Sequence, residues 1–501
     1  MKRLILLLFF IFSILSIKGQ TYFNNEFTND SSMWDNGAFV HEFPDTSGYL
    51  VVGFFPMPGY IGYIRFHRLN ILGDTVWTKH YRNRPLGQIA SLGNYINLGD
   101  TNFVFVGTYS PESSDSAQIN LFKIDDSGNV LWDYIFGDPS KETNSFDIQQ
   151  TKDGGYIITG YTTGWGANNI ANSFLLKVDS LGNEEWKKVY SIPSGIYDIS
   201  SSVDTTNDNG YIISGSVTYN STGNQSDIFV LRADSLGAMQ WITTYGSPYG
   251  DWGRAYVKKS GLNDYLLAGG ISIDYGNGLN SQTYLAKIDG QNGNIIWSDT
   301  SGTDQSGYDE GFDSTPIILN SGDIVLIGAV DRTLGGAGVS ALLCKYSSAG
   351  VKQWDRVYNK YGANNNNYFW DIHETYDKGF IICGDFLNIS VPVQPLWVLK
   401  LDSMGCDTIN CTVGIEDEIS EENELLVYPN PSNTFISFEL PFNLNQINAE
   451  LRLFNITGKE VFVKKINSHV TQIDVSSYPK GIYFYQLINE KNSYSGKLVI
   501  N

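Results

Sequence analysis

The groups of this 501-residue chain that could carry acid–base, nucleophilic or metal chemistry are five histidines, four cysteines and 53 acids. His41, His67, His80, His373 and His469 show no metal-ligand spacing. The first three flank strand patterns and are expected at the surface. There is no Gly-x-Ser-x-Gly elbow and no phosphate-cradling loop. Carboxylate pairs are made in space, so 53 acids leave many combinations open. The Asp-x-x-Gly-Asn phrases lack the alternating oxygen ligands of a calcium loop and are expected to be hairpin turns. No catalytic residue, cofactor or metal is therefore expected. What remains is aromatic. Trp165, Tyr249, Trp252, Tyr308, Tyr368 and Trp370 lie among Asn, Asp and Gly in long irregular segments. Such side chains suit a glycan or a peptide, or pack locally; they are the candidate ligand contacts.

The elements that must position them follow from a repeat. Trp77, Trp132, Trp186, Trp241, Trp297 and Trp354 are separated by 55, 54, 55, 56 and 57 residues. One supersecondary unit is thus repeated. A full copy reads as four strands: Ser145–Thr151, Gly155–Gly160, Ser173–Val178 and Glu184–Tyr190, with turns at Asp153-Gly154 and Asp179-Ser-Leu-Gly182. Four short antiparallel strands in about 55 residues describe a propeller blade. The second-strand phrase occurs seven times, from Gly48-Tyr-Leu-Val-Val-Gly53 to Gly379-Phe-Ile-Ile-Cys-Gly384. Only six tryptophan strands accompany it. Phe23 precedes Tyr49 by 26 residues, as Trp186 precedes Tyr211 by 25. Phe23 is then the seventh member of the series. The expectation is an all-β, seven-bladed propeller over 20–411, closed by its N-terminal strand, with each tryptophan packed between blades. In such a meander the short, stereotyped turns share one face. The long segments holding the six aromatics share the other, and variable loops on a rigid scaffold commonly bind.

The formal charge of −20 argues against nucleic acid and anionic membranes as partners. Lys2 and Arg3 precede an uncharged apolar run over 4–17, too short to span a bilayer, so 1–19 is expected to be a cleaved secretory signal. No later run is long enough for a transmembrane helix. In an exported chain, Cys406 and Cys411 are expected to close a small disulfide loop, since no further ligands stand nearby for a metal. Cys344 and Cys383 fall in apolar strands and are expected to be buried free thiols. Residues 412–424 form an acidic linker. Beyond it, 425–501 alternates with turn punctuation and is expected to be a small β-sandwich.

That last unit carries Tyr428-Pro429-Asn430-Pro431, a Phe-Asn-Ile-Thr-Gly458 turn, Pro479-Lys-Gly481-Ile-Tyr and a terminal Gly496-Lys497-Leu-Val. These phrases resemble the C-terminal sorting domain of the type IX secretion system. The resemblance implies passage to the periplasm, outer-membrane export through that machinery, and removal of the tail by a sortase. The protein would then be released or held on surface lipopolysaccharide. The propeller resembles bacterial propeller repeats of unassigned function. The phrase ending at Trp297 is also similar to quinoprotein dehydrogenase repeats, but no quinone- or calcium-binding set and no adjacent cysteines accompany it. The expected function is a secreted or surface-displayed binding or adhesion module for a glycan or protein. The alternatives are a glycan-active enzyme with carboxylates on the long-loop face and, behind it, a quinoprotein-like enzyme.

Overall fold

The structure is a computed structural model. It describes residues 21–27, 36–56, 62–81, 87–99, 102–111, 116–166, 170–220, 225–251, 254–274, 279–301, 310–312, 314–330, 338–360, 365–387, 394–408, 426–428, 430–439, 449–456, 459–466, 468, 470–488 and 493–501. The expected signal segment 1–19 and linker 412–424 lie outside these. The described residues form strands and turns, and no helix among them is long and apolar enough to cross a membrane. The chain divides into two compact units, 1–411 and 412–501.

The first unit holds seven antiparallel sheets of the propeller kind. Blades 1 to 6 occupy 36–81, 87–136, 143–190, 197–245, 256–301 and 310–358. Blade 7 takes its inner three strands from 366–401 and its outermost, Phe23–Phe27, from the start of the propeller. First strands of blades 7, 1, 2, 3, 4 and 5 touch in succession and so line the axis. An apolar cluster fills every seam. Between blades 3 and 4 it contains Ile157, Leu175, Ile213 and Phe229. Between blades 7 and 1 it joins Ile381, Cys383 and Val398 to Val40 and Val51, with Phe23 and Phe27 packed against it.

The recurring glycine of the second strand has a steric cause in several blades. In blade 3 the first strand carries a β-bulge at Phe146, between Ser145 and Asp147. A Cβ on the facing Gly160 would lie 1.9 Å from the Asn144 carbonyl oxygen. The same collision threatens at Gly215 and Gly384, 2.0 and 1.9 Å from carbonyl oxygens. A bulge of this kind re-aims the next side chain. Here the next residue ties blades together: Asp147 accepts from the Val203 amide of blade 4 at 2.8 Å, and Asp371 from the Val40 amide of blade 1 at 2.9 Å.

The tryptophans do pack between blades. Each lies half-buried on the outermost strand, and all but Trp354 meet the glycine of the following blade's third-to-fourth turn; at Gly405 Arg356 and Tyr358 take that place. A Cβ on Gly237 would lie 2.8 Å from the Trp186 ring, on Gly293 3.0 Å from Trp241, and on Gly350 2.6 Å from Trp297. These glycines have φ of 75–82°, a region that L side chains rarely adopt. Tyrosine supports the contact: Tyr190 and Tyr245 donate to the Gly237 and Gly293 carbonyls at 2.7 and 2.6 Å.

Phe23 takes the seventh place. It pairs with Lys400 in the register by which Trp186 pairs with Lys177, and a Cβ on Gly73 would meet its ring at 2.8 Å. Asn24 accepts from Trp397 Nε1 at 2.8 Å and Lys360 Nζ at 2.6 Å. Closure by this strand leaves no open edge on Leu396–Leu401. Deletion of residues 21–30 is expected to lower the melting temperature by roughly 5 °C or more. Calorimetry on the truncated chain checks this; an unchanged melt would remove the strand from the ring.

The second unit stacks a three-stranded sheet (Leu426–Tyr428, Phe435–Glu439, Val470–Asp474) and a four-stranded one (Glu460–Ile466, Ala449–Asn455, Gly481–Ile488, Ser493–Ile500) around Ile436, Phe438, Leu451, Leu453, Leu487 and Leu498. Its motif residues meet at the last strand. The Asn430 amide donates to the Lys497 carbonyl and accepts from the Val499 amide, both at 2.8 Å, as a β-strand neighbour would. Ser432 continues the pairing, giving its amide to Val499 and accepting from Asn501. Gly496 leaves room for Tyr485, whose ring atoms would lie 2.6 Å from a Cβ there. Tyr428 and Lys497 are exposed, and Pro429 and Gly458 lie outside the described residues. Asn430→Ala is expected to cost about 1–2 kcal/mol of local stability. Faster hydrogen exchange at the Val499 and Asn501 amides would register it; unchanged protection would refute the clasp.

Candidate functional site

The six candidate aromatics do not converge among the described residues. Trp165 adopts φ 48° and turns its ring inward, edge-on to Phe174 at 5.1 Å, with Lys187 Nζ 5.2 Å from its centre. Tyr249 is exposed and donates to Asp274 at 3.3 Å. Tyr368 stacks on Trp370 at 5.6 Å; Trp370 is the bulge residue of blade 7, and its Nε1 donates to Asp385. Trp252 and Tyr308 lie outside the described residues, so Tyr368 and Trp370 are the pair brought together. Cys406 is buried, while Cys411 lies outside the described residues. Cys344 and Cys383 are buried free thiols, as their strands imply.

A cavity lies on the opposite face. Between the short turns of blades 3 and 4 is a groove of about 790 Å³. Its inner end is Lys259 of blade 5, its outer end Ser235 and Leu236, and Trp186 and Tyr211 stand between them. The groove owes its shape to a second periodic series. Arg68, Lys123, Lys177, Arg232, Lys287 and Lys345 pair with the six tryptophans, and Lys400 with Phe23. Five of these cations reach an aspartate of their own blade: Lys177–Asp153 (3.1 Å), Arg232–Asp208 (2.6 Å), Lys287–Asp264 (2.9 Å), Lys345–Asp323 (3.1 Å) and Lys400–Asp377 (2.9 Å). The period of the tryptophans was the signal that could have revealed them.

In blade 3, the buried Lys177 folds back on Asp153, Glu185 (2.9 Å) and the Val178 carbonyl (3.0 Å). The seam beside it stays open. In blade 4, Arg232 is longer: it bonds Asp208 and crosses to the Gly290 carbonyl at 2.5 Å. The seam between blades 4 and 5 shrinks to about 70 Å³. Thr151 donates to Asp153 at 2.5 Å, and with Gly155 and Lys177 holds that carboxyl down to about 2, against the opposing pull of burial. Trp186 meets Tyr211 edge-on at 5.7 Å, and burial pushes that phenol up to about 12.

Titratable groups also gather at the axis, on first strands of blades 7, 1 and 2. Tyr95 Oη lies 2.7 Å from His373 Nε2 and donates to the Val40 carbonyl at 3.0 Å; Asn97 reaches His41 at 2.7 Å. Asp371 lies 3.6 Å from His373. Burial raises the Asp371 carboxyl to about 7, and burial, with help from His41 and Lys258, lowers His373 to about 3. The surface expectation thus fails for His67, which is 5% exposed. It lies on an inner strand covered by Phe27 at 5.0 Å, and burial lowers it to about 3. His41 is half-buried in the axial cluster, and His80 is exposed. Among the described residues no three His, Cys, Asp or Glu side chains gather as a metal would require.

The axial groups oppose one another with pH. Asp371 is raised in the fold, so its contribution is full below about pH 4 and is lost as pH rises through about 7. His373 is lowered, so its contribution is present above about 6.5 and is lost as pH falls. Asp371→Asn keeps an acceptor for Val40 and removes the first effect alone. Relative to the native chain, this variant is expected to gain about 2 kcal/mol or more between pH 5 and pH 8. Denaturant titrations at both pH values decide it; a constant difference refutes the assignment. Other titrating neighbours, His41, Cys383 and Asp385, are common to both proteins.

Residues 426–501 match the family described as the secretion system C-terminal sorting domain. No curated protein matches the chain. Similar solved structures include the β-propeller domain of the Trilobed protease from Pyrococcus furiosus, at 9% identity and TM-score 0.40, covering 73% of this chain and 95% of that one. An α-L-arabinanase from Penicillium chrysogenum has 11% identity and TM-score 0.37, with 74% and 93% covered. A protein of unknown function from Bacteroides caccae has 14% identity and TM-score 0.36, with 66% and 97% covered. Likeness at this level concerns the fold and says nothing of activity. The C-terminal unit is a type IX secretion sorting domain, and it marks the chain for export to the cell surface or beyond.

Proposed function

We propose that the exported propeller is a binding module and that its ligand seats in the groove between blades 3 and 4. The observation that carries this is an open cavity of about 790 Å³ whose two lining carboxylates are already engaged. Asp153 and Glu185 both hold Lys177, and Asp153 sits well below the range of a general acid. Thr151, Thr205, Asn207 and Trp186 offer hydroxyl, amide and aromatic contacts that suit a glycan or a polar peptide. In this reading residues 1–19 are a cleaved signal and 412–424 a linker. The sorting domain meets the secretion machinery, and a sortase removes it. The propeller is then freed or fixed on lipopolysaccharide, with Cys406 and Cys411 joined at its end.

A catalytic role has one observation in its favour, the axial Asp371 poised at about 7 beside His373. Its carboxylate is committed to the Val40 amide of the next blade, which speaks for a structural duty. Glycan and peptide arrays with the mature chain, followed by calorimetric titration of any hit, test the proposal. Ser235→Trp places a bulky ring on an exposed turn lining the groove and is expected to weaken binding at least tenfold. Unaltered affinity overturns the groove as the site, and release of sugar or peptide fragments makes the protein an enzyme.

A further inference from the structure

The lysines of the groove divide into two kinds. Lys177 is buried and spent on Asp153 and Glu185. Lys152 is exposed and has no carboxylate partner among the described residues. Lys259 turns its ammonium to the neutral Asn207 amide oxygen at 2.5 Å, while its backbone amide goes to Asp204. By contrast, Lys177, Lys287, Lys345 and Lys400 of the third-strand series all find carboxylates. The groove lining therefore sums to three lysines against Asp153 and Glu185, a net +1 on a chain of −20. A local cation excess raises the local concentration of anions at that spot.

We infer that the groove binds an acidic saccharide, a chain whose uronate carboxylates meet Lys152 and Lys259. This rests on the binding reading above and names its ligand class. Lys152 belongs to the blade 3 turn and Lys259 to the first strand of blade 5, so the two ammoniums stand on opposite sides of the blade 4 turn at Thr206–Gly210. A ligand reaching both must be extended. The rest of the lining includes threonine hydroxyl, asparagine amide and tryptophan ring, which match sugar hydroxyls and a pyranose face better than a peptide backbone.

The test is titration calorimetry of the exported chain with tetragalacturonate, maltotetraose and tetra-aspartate. The uronate is expected to bind, to weaken at least tenfold in Lys152→Gln/Lys259→Gln, and to weaken as salt rises from 50 to 300 mM. Both lysine side chains lie at the surface or half-buried in the groove, and matched melting curves show that the variant folds. Equal binding of maltotetraose leaves the groove a glycan site and overturns its acidic preference. Tighter binding of tetra-aspartate overturns the saccharide. Binding of the uronate unchanged in the double variant places it elsewhere and overturns the inference. Binding of none of the three overturns the inference, while array hits lost in Ser235→Trp would still uphold the groove.

Discussion

The ring depends on one contact repeated around it: an aromatic ring on the outermost strand lying on a glycine of the next blade's turn. The glycine serves twice. Its positive φ lets the hairpin close, and its missing Cβ makes room for the neighbour's ring, as Gly237 does for Trp186. A side chain there would break a turn and open a seam together. Apolar clusters in every seam continue the contact inward, and at the axis bulged first strands replace it with polar ties such as Asp147 to Val203. Each blade is thus held at its rim by rings, in its middle by aliphatic side chains and at its centre by hydrogen bonds. No blade could bury both faces alone.

This regularity makes departures informative. The seams that follow blades 3 and 4 are built from similar parts, yet their spaces differ. Where the third-strand cation is a lysine drawn back by two carboxylates, as in blade 3, a cavity remains. Where it is an arginine long enough to cross the seam, as in blade 4, the space nearly closes. The short-turn face, uniform in sequence, thereby acquires an uneven surface. The shape of the groove follows from a scaffold residue's choice of partner.

The sorting domain obeys a comparable economy. Its Asn430 side chain imitates a neighbouring strand against the last strand of the chain, and the terminal Gly-Lys-Leu-Val phrase is the surface it clasps. Two motifs far apart in sequence are therefore one structural device.

By itself the sequence determined the blade, the count of its repeats, the closing role of Phe23 and the export tail. Each of these is written in local period and turn chemistry: alternation, Asp-x-x-Gly hairpins and a tryptophan every 55 residues or so. The strand pattern also put the tryptophans against neighbouring blades, where they lie half-buried. What only the tertiary structure decided were relations across seams and across the axis. The basic series had the same period but became meaningful only when Lys177 and Arg232 were seen to choose different partners. His67 looked like a surface residue because its position reads as the flank of a strand, and the strand with Phe27 that covers it is held in place by pairing with the last blade. The axial group of Tyr95, His373 and Asp371 joins residues 278 positions apart from Tyr95 to His373. Distances of that kind are fixed by closure of the ring, which no local pattern encodes.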